Sequence, residues 1–166
     1  MPPRVVLVGP MGAGKTTVAG LLGDAWDLPV RDTDADIEAT TGRDISDIFV
    51  ESGEDHFRDV EATAVAAALA EHDGVLALGG GAVLRPETRE LLAGLPVVFL
   101  RVGLSDAVKR VGLGVGRPLL LGNVRARIKA LLDERTPVYE SVSLHTVDTD
   151  GRTADEVAAE VRRLLG

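Results

Sequence analysis

Gly9-Pro-Met-Gly-Ala-Gly-Lys-Thr16 fits the pattern G-x-x-x-x-G-K-[ST] in full. The glycines let consecutive backbone N–H groups curl around phosphate oxygens. The start of the helix that follows adds its partial positive charge. Lys15 can reach the β- and γ-phosphates of a nucleotide, and the Thr16 hydroxyl can ligate Mg²⁺. Gly9, Met11, Gly12, Ala13, Gly14, Lys15, Thr16 and Thr17 are therefore the expected cradle for a nucleotide's phosphates. The bland alternative, a Gly-rich turn with a chance lysine, does not account for the apolar strand before it and the helical pattern after it. A loop of this kind establishes nucleotide binding, not the use made of it.

Other groups could supply that use. Asp32-Thr33-Asp34 holds two carboxylates one residue apart. One can serve a metal and the other a substrate hydroxyl. The same triplet could instead start a helix, with Thr33 or Asp34 as the cap. Gly79-Gly80-Gly81 loses much conformational entropy unless the backbone must approach something closely. Arg117, in Arg117-Pro118-Leu119-Leu120, sits in a Gly-rich stretch and could close over ATP and neutralise charge on a transferred phosphoryl group. Arg58 reads either as a ligand for an anion or as an exposed partner of Glu54 and Glu61. Arg135, in Arg135-Thr-Pro-Val-Tyr139, is ambiguous on its own. His56, His72 and His145 have no metal-ligand spacing.

Short apolar runs alternate with longer periodic ones, and these must position the chemistry. Strands are expected at Arg4–Val8, Leu28–Arg31, Val75–Leu78, Val97–Val102 and Leu144–Val147. Helices are expected at Gly14–Ala25, with Val18, Leu21, Leu22 and Ala25 inward, and at Thr33–Thr41, ended by Gly42. Asp44–Val50 brings Ile45, Ile48 and Phe49 to one face. Ser52-Gly-Glu-Asp55 reads as a capping box for a helix reaching about Ala70. Helices follow at Pro86–Leu92, Ser105–Val111, Val124–Leu132 and Pro137–Ser141, with a Gly-rich loop over Gly112–Asn123. Thr153-Ala-Asp-Glu156 is a second capping box, opening a helix that buries Val157, Val161, Leu164 and Leu165. Trp26 and Phe99 read as core. The alternation predicts an α/β sandwich around a five-stranded parallel sheet, with ligands at the carboxyl ends of the strands.

Composition narrows the functional classes. The chain has 166 residues, 45% hydrophobic and 27% charged, which suits one soluble domain. No Cys is present, so thiol nucleophiles, thiolate metal sites and disulfides are excluded. The net charge of −8 argues against nucleic acid or an anionic membrane as partner. No apolar run is long enough to span a bilayer, and the first residues lack the apolar length of a signal peptide, so the cytoplasm is expected. The charge is uneven. Gly23–Asp73 carries 15 acidic and 3 basic residues, whereas Arg101–Arg135 carries 8 basic and 3 acidic ones.

Taken in order, Gly9–Thr16, Asp32-x-Asp34, Phe57-Arg58, Gly79-Gly80-Gly81, Arg117-Pro118-Leu119-Leu120, Arg135-x-Pro-x-Tyr139 and Val147-Asp148-Thr149 make the chain resemble the shikimate kinases over nearly its whole length. The resemblance implies a P-loop three-layer sandwich with strand order 2-3-1-4-5, like nucleoside monophosphate kinases. It implies a single kinase domain over 1–166, with a lid at about 112–123 and a substrate-binding helical segment at about 33–61. The implied reaction is phosphoryl transfer from ATP to the 3-hydroxyl of shikimate, with Mg²⁺, by a monomer. By resemblance, Asp34 meets the reacting hydroxyl and Asp32 supports Mg²⁺ with Thr16. Arg58 and Arg135 hold the substrate carboxylate beside the Gly79–Gly81 backbone. Phe49, Phe57 and Glu61 line the acceptor pocket. Arg117 rides on the lid, and Arg110 and Arg152 flank the adenine. Ala154 departs from the family pattern, which often has Pro there.

Rival readings are a kinase for gluconate or a nucleoside monophosphate, a GTP-dependent switch and an inactive interaction domain. A nucleotide kinase needs a second phosphate site. A GTP switch needs N-K-x-D, which is missing from the sequence. Intact Lys15, Thr16, Asp34 and Arg117 oppose the inactive domain.

Overall fold

A computed structural model describes the backbone of residues 2–115 and 121–166 and the side chains of 2–110 and 125–166. Five strands, β1 (Val5–Val8), β2 (Val30–Asp32), β3 (Val75–Ala77), β4 (Val97–Arg101) and β5 (His145–Asp148), form one parallel sheet in the order β2-β3-β1-β4-β5. The helices among the described residues are α1 (Lys15–Trp26), α2 (Thr33–Thr41), α3 (Ile45–Ser52), α4 (Glu54–Glu71), α5 (Pro86–Leu92), α6 (Leu104–Val115), α7 (Leu121–Val142) and α8 (Ala154–Leu165). None is long and apolar enough to cross a membrane.

The central strand β1 is buried on both faces, which is why it reads as an unbroken apolar run. Alternation along it divides the core. Val5 and Leu7 join Val18, Leu22, Val157 and Val161 beneath α1 and α8. Val6 and Val8 join Val65, Leu92, Phe99 and Tyr139 beneath α4, α5 and α7. A third cluster, Ile37, Ile48 and Phe57, holds α2, α3 and α4 together beyond the sheet edge. The three-layer, all-parallel arrangement and its strand order agree with the expectation.

Several local readings differ. Ser52 does not cap α4: it is the last residue of α3, and Gly53 precedes α4 with no side-chain cap bond. The Thr153 box does form, with Thr153 Oγ1 accepting from Glu156 N–H and Glu156 Oε1 accepting from Thr153 N–H. Ala25 faces solvent and Trp26 is only half-buried, its ring 4.3 Å beneath the Arg4 guanidinium. The expected break before Pro137 is absent, because α7 runs through it. Proline costs that helix one backbone bond. Ile128 and Leu132 pack on one core cluster and Val138, Tyr139 and Val142 on the other, so burial on both sides of Pro137 outweighs the loss. At the expected loop 112–123, α6 extends to Val115 and α7 begins at Leu121, while Arg117 lies outside the described residues.

Candidate active site

The carboxyl ends of β1, β2 and β3 open on a cleft of about 790 Å³. Gly12 and Gly14 take φ of 86° and 87°, a region unfavourable to any residue with a Cβ. Gly14 precedes α1 with no side-chain cap, so the first amides of α1 keep their hydrogen-bonding capacity for an anion. Lys15 Nζ donates to Gly9 O at 2.6 Å and Pro10 O at 3.1 Å, holding the ammonium inside the loop. Burial pushes Lys15 down to about 8, and the neighbouring Asp34 and Asp32 carboxylates oppose that shift. Met11 stands out at the tip, 76% exposed, and Thr17 lines the cleft with Lys15 and Thr16.

Asp32 satisfies both of the readings that its triplet allowed. Its Oδ1 caps α2, accepting from Asp34 N–H at 2.8 Å and Ala35 N–H at 3.4 Å. Its Oδ2 accepts from the Thr16 hydroxyl at 3.1 Å. The cap is Asp32 rather than Thr33 or Asp34, because β2 runs one residue further than expected and delivers Asp32 to the junction. Asp34 is thereby left free to face the cleft. Its carboxyl is raised to about 6, first by burial, then by the charges of Asp32 and Glu61, with Lys15 acting in the opposite sense.

The triglycine follows β3 directly and is held by close approach rather than by a turn alone. A Cβ on Gly79 would fall 2.6 Å from Asp34 Oδ1 and 2.9 Å from Glu61 Oε2. A Cβ on Gly81 would overlap the Arg58 guanidinium, 2.6 Å from its central carbon. These backbones are the floor on which Asp34, Glu61 and Arg58 converge. Arg58 Nη1 donates to the buried Glu61 at 2.7 Å, with Glu54 at 3.7 Å. Its guanidinium lies 5.7 Å and 5.3 Å from the Phe49 and Phe57 ring centres, and the two rings are 4.6 Å apart. Burial raises Glu61, and the Arg58 hydrogen bond pulls it back. Arg135 comes from α7 to the same cleft, and among the described residues its buried Nε has no hydrogen-bond partner. A buried donor left unpaired is costly, so this guanidinium suits an acceptor held at the glycine floor.

A smaller cavity of about 230 Å³ lies on the other side of the loop, lined in part by Gly12, Ala13, Thr17, Arg110, Arg152 and Ala154. Arg110 donates to Gly12 O at 2.9 Å, Thr149 Oγ1 at 3.1 Å and Thr149 O at 3.1 Å. Arg152 donates to Asp148 O at 2.9 Å and pairs with Glu160. Both arginines thus brace the loops around this cavity. Two residues carrying the cleft's geometry had no role in the site assigned from the sequence: Thr33, read there only as a possible helix cap, whose Oγ1 accepts from Gly79 N–H at 3.2 Å, and Tyr139, whose hydroxyl donates to Gly80 O at 2.6 Å. Their signal was membership of Asp32-Thr33-Asp34 and of Arg135-x-Pro-x-Tyr139, neither of which names a backbone partner.

Comparison with known proteins gives a consistent result. The family model described as shikimate kinase matches residues 11–165. The shikimate kinase of Salinispora arenicola is 58% identical over 99% of both chains. That of Thermobifida fusca is 53% identical over 98% of this chain and 95% of its own. The solved structure of the Acinetobacter baumannii shikimate kinase in complex with shikimate has a TM-score of 0.91 and 35% identity, covering 99% of this chain and 93% of that one. With a family model over residues 11–165 and relatives 53% and 58% identical over nearly the whole chain, the chain belongs to the shikimate kinase family.

Proposed function

We propose that the chain transfers the γ-phosphoryl group of ATP to the 3-hydroxyl of shikimate, giving shikimate 3-phosphate and ADP. The Arg135 guanidinium at Gly80 and the Arg58 guanidinium at Gly81, on the same glycine floor as Asp34, carry this reading. Two guanidinium groups meeting at a glycine floor suit a planar carboxylate. Asp34, at the same floor, suits the hydroxyl that must lose its proton.

Phosphoryl transfer through a loose transition state needs alignment and charge neutralisation more than a strong base. The loop amides and Lys15 hold the phosphates, and Asp34 orients the hydroxyl and accepts its proton. Arg58 and Arg135 fix the ring by its carboxylate, with Phe49 and Phe57 beside it. Glu61 holds Arg58 from behind. Thr16 and Asp32 offer hard oxygen donors beside the phosphate loop and fit Mg²⁺. When bound, Mg²⁺ supplies charge neutralisation at the phosphates. Arg117 is assigned to the transferring phosphoryl group by its place in the sequence pattern, and Arg110 and Arg152 to the adenine side of ATP. The acidic net charge supports a partner set of small molecules, without nucleic acid or membrane. The same reading places the enzyme in the cytoplasm as a monomer.

The arginine pair gives the test. Arg58→Ala or Arg135→Ala raises KM for shikimate roughly 10- to 100-fold, from a charge-assisted bond of ~1.5–3 kcal/mol. KM for ATP barely moves. The double variant loses less than the sum, because both groups share one carboxylate. Arg→Lys rescues only in part, since an ammonium lacks the planar fork. Steady-state KM values for both substrates on the single variants decide it. No effect, or equal effects on ATP and shikimate, would refute the clamp.

A further inference from the structure

The triglycine backbone is tied down at two points by buried hydroxyls. Gly79 N–H donates to Thr33 Oγ1 at 3.2 Å, and Thr33 is fully buried. Tyr139 Oη donates to Gly80 O at 2.6 Å, and Tyr139 is also fully buried, its ring 5.0 Å from that of Phe99. Neither hydroxyl is required for packing. Val in place of Thr33 and Phe in place of Tyr139 would fill the same space without the cost of burying an oxygen. In both cases that cost is offset by a bond to the one stretch of chain with three consecutive glycines, whose backbone has the most freedom to lose.

The two anchors come from the elements that carry the chemistry. Thr33 lies between Asp32 and Asp34 at the start of α2. Tyr139 lies one helical turn beyond Arg135 on α7. A Cβ on Gly80 would stand 3.6 Å from Gly9 O, 3.7 Å from Met11 N and 3.8 Å from Arg135 Nη1, so the anchored loop neighbours both the phosphate loop and the guanidinium. We infer that Thr33 and Tyr139 are positioning residues for the acceptor: through Gly79 and Gly80 they fix the separation between the Asp34 carboxylate and the arginine pair. The inference rests on the shikimate reading and deepens it. Small misplacement of a reacting group is expensive in rate and affinity. An acceptor held at its carboxylate and reacting at its hydroxyl is sensitive to that separation, whereas ATP, held by the amides of the phosphate loop and by Lys15 rather than by the two anchors, responds less.

The test compares Tyr139→Phe and Thr33→Val with the wild type, in the full chain. A net hydrogen bond corresponds to roughly a 2- to 10-fold change in an equilibrium. Tyr139→Phe raises KM for shikimate by about that factor, with KM for ATP within about twofold of wild type. Thr33→Val does the same and also lowers kcat, because it stands next to Asp34. Combined with Arg135→Ala, Tyr139→Phe adds less than its own effect, since the loop it fixes no longer faces that guanidinium. Isothermal calorimetry with shikimate alone repeats the split without turnover. An unchanged shikimate KM in Tyr139→Phe overturns the inference, and so do equal rises in both KM values alongside a lowered Tm, the mark of a merely structural role. Tyr139→Phe keeps the ring on Phe99 and decides alone if Thr33→Val does not fold. A wild type that does not phosphorylate shikimate sinks the functional reading and this inference with it; an active wild type with an unaffected Tyr139→Phe sinks the inference only.

Discussion

Asp34→Asn lowers kcat by roughly 10²–10⁴, the range for losing a positioned general base. The substitution keeps the size of the side chain and removes its capacity to take a proton. The structure also gives this prediction a pH dependence. Burial and the Asp32 and Glu61 charges raise the Asp34 carboxyl to about 6. The ionised form, which accepts the proton, therefore prevails above pH 6 and is lost as pH falls through that value. In the wild type, kcat/KM falls toward tenfold per pH unit below about 6, and in Asp34→Asn this acidic limb disappears. If Asp34 only orients the hydroxyl, the loss of kcat is smaller and KM for shikimate rises instead. Rate profiles between pH 5 and 8 on both proteins separate the two roles. An unchanged kcat/KM in the variant removes Asp34 from the site altogether.

Lys15→Ala takes away a charge aimed at the phosphates and lowers kcat by at least about 10²–10³, the effect of removing one preorganised donor from a transition state. The fold survives, because among the described residues the Nζ of Lys15 bonds to two loop carbonyls, Gly9 O and Pro10 O, and its loss leaves both core clusters intact. Circular dichroism matching the wild type, together with turnover near background, is the expected pair of observations. Full activity in this variant contradicts the kinase assignment.

The elements were legible where one physical signal dominated. β1 is a run of four apolar residues because both its faces are covered, and the loop after it is a full P-loop pattern, so strand, loop and helix could be read together. The Thr153 box was equally plain, since capping is local and both of its bonds form. Ser52 shows the limit of that rule. The same residue spacing was present, but packing of Ile48 against Ile37 and Phe57 draws α3 on to Ser52 and takes it out of the cap position. Pro137 shows the reverse case, a local breaker overruled by burial on both sides of it.

The site divides in the same way. The phosphate loop was readable from one stretch of chain, whereas the acceptor side is assembled from α2, α4, the triglycine and α7. No spacing rule links Arg58 to Arg135, and the sequence left Arg58 equally open to being a partner of Glu54 and Glu61. The structure shows the Glu61 pair to be real, with the guanidinium still pressed on Gly81 inside the cleft. Thr33 and Tyr139 were beyond reach, because a buried hydroxyl gives no sign in the sequence of which backbone atom it meets.

The central claim is that this cleft phosphorylates a small hydroxy acid recognised by Arg58 and Arg135. It is tested most directly by a coupled assay of ADP release from ATP and Mg²⁺ with shikimate, gluconate, AMP and CMP offered one at a time to the wild-type protein. The account predicts saturable ADP release with shikimate and background release with the other three. Turnover with gluconate, AMP or CMP in place of shikimate, or none with any of the four, would contradict it.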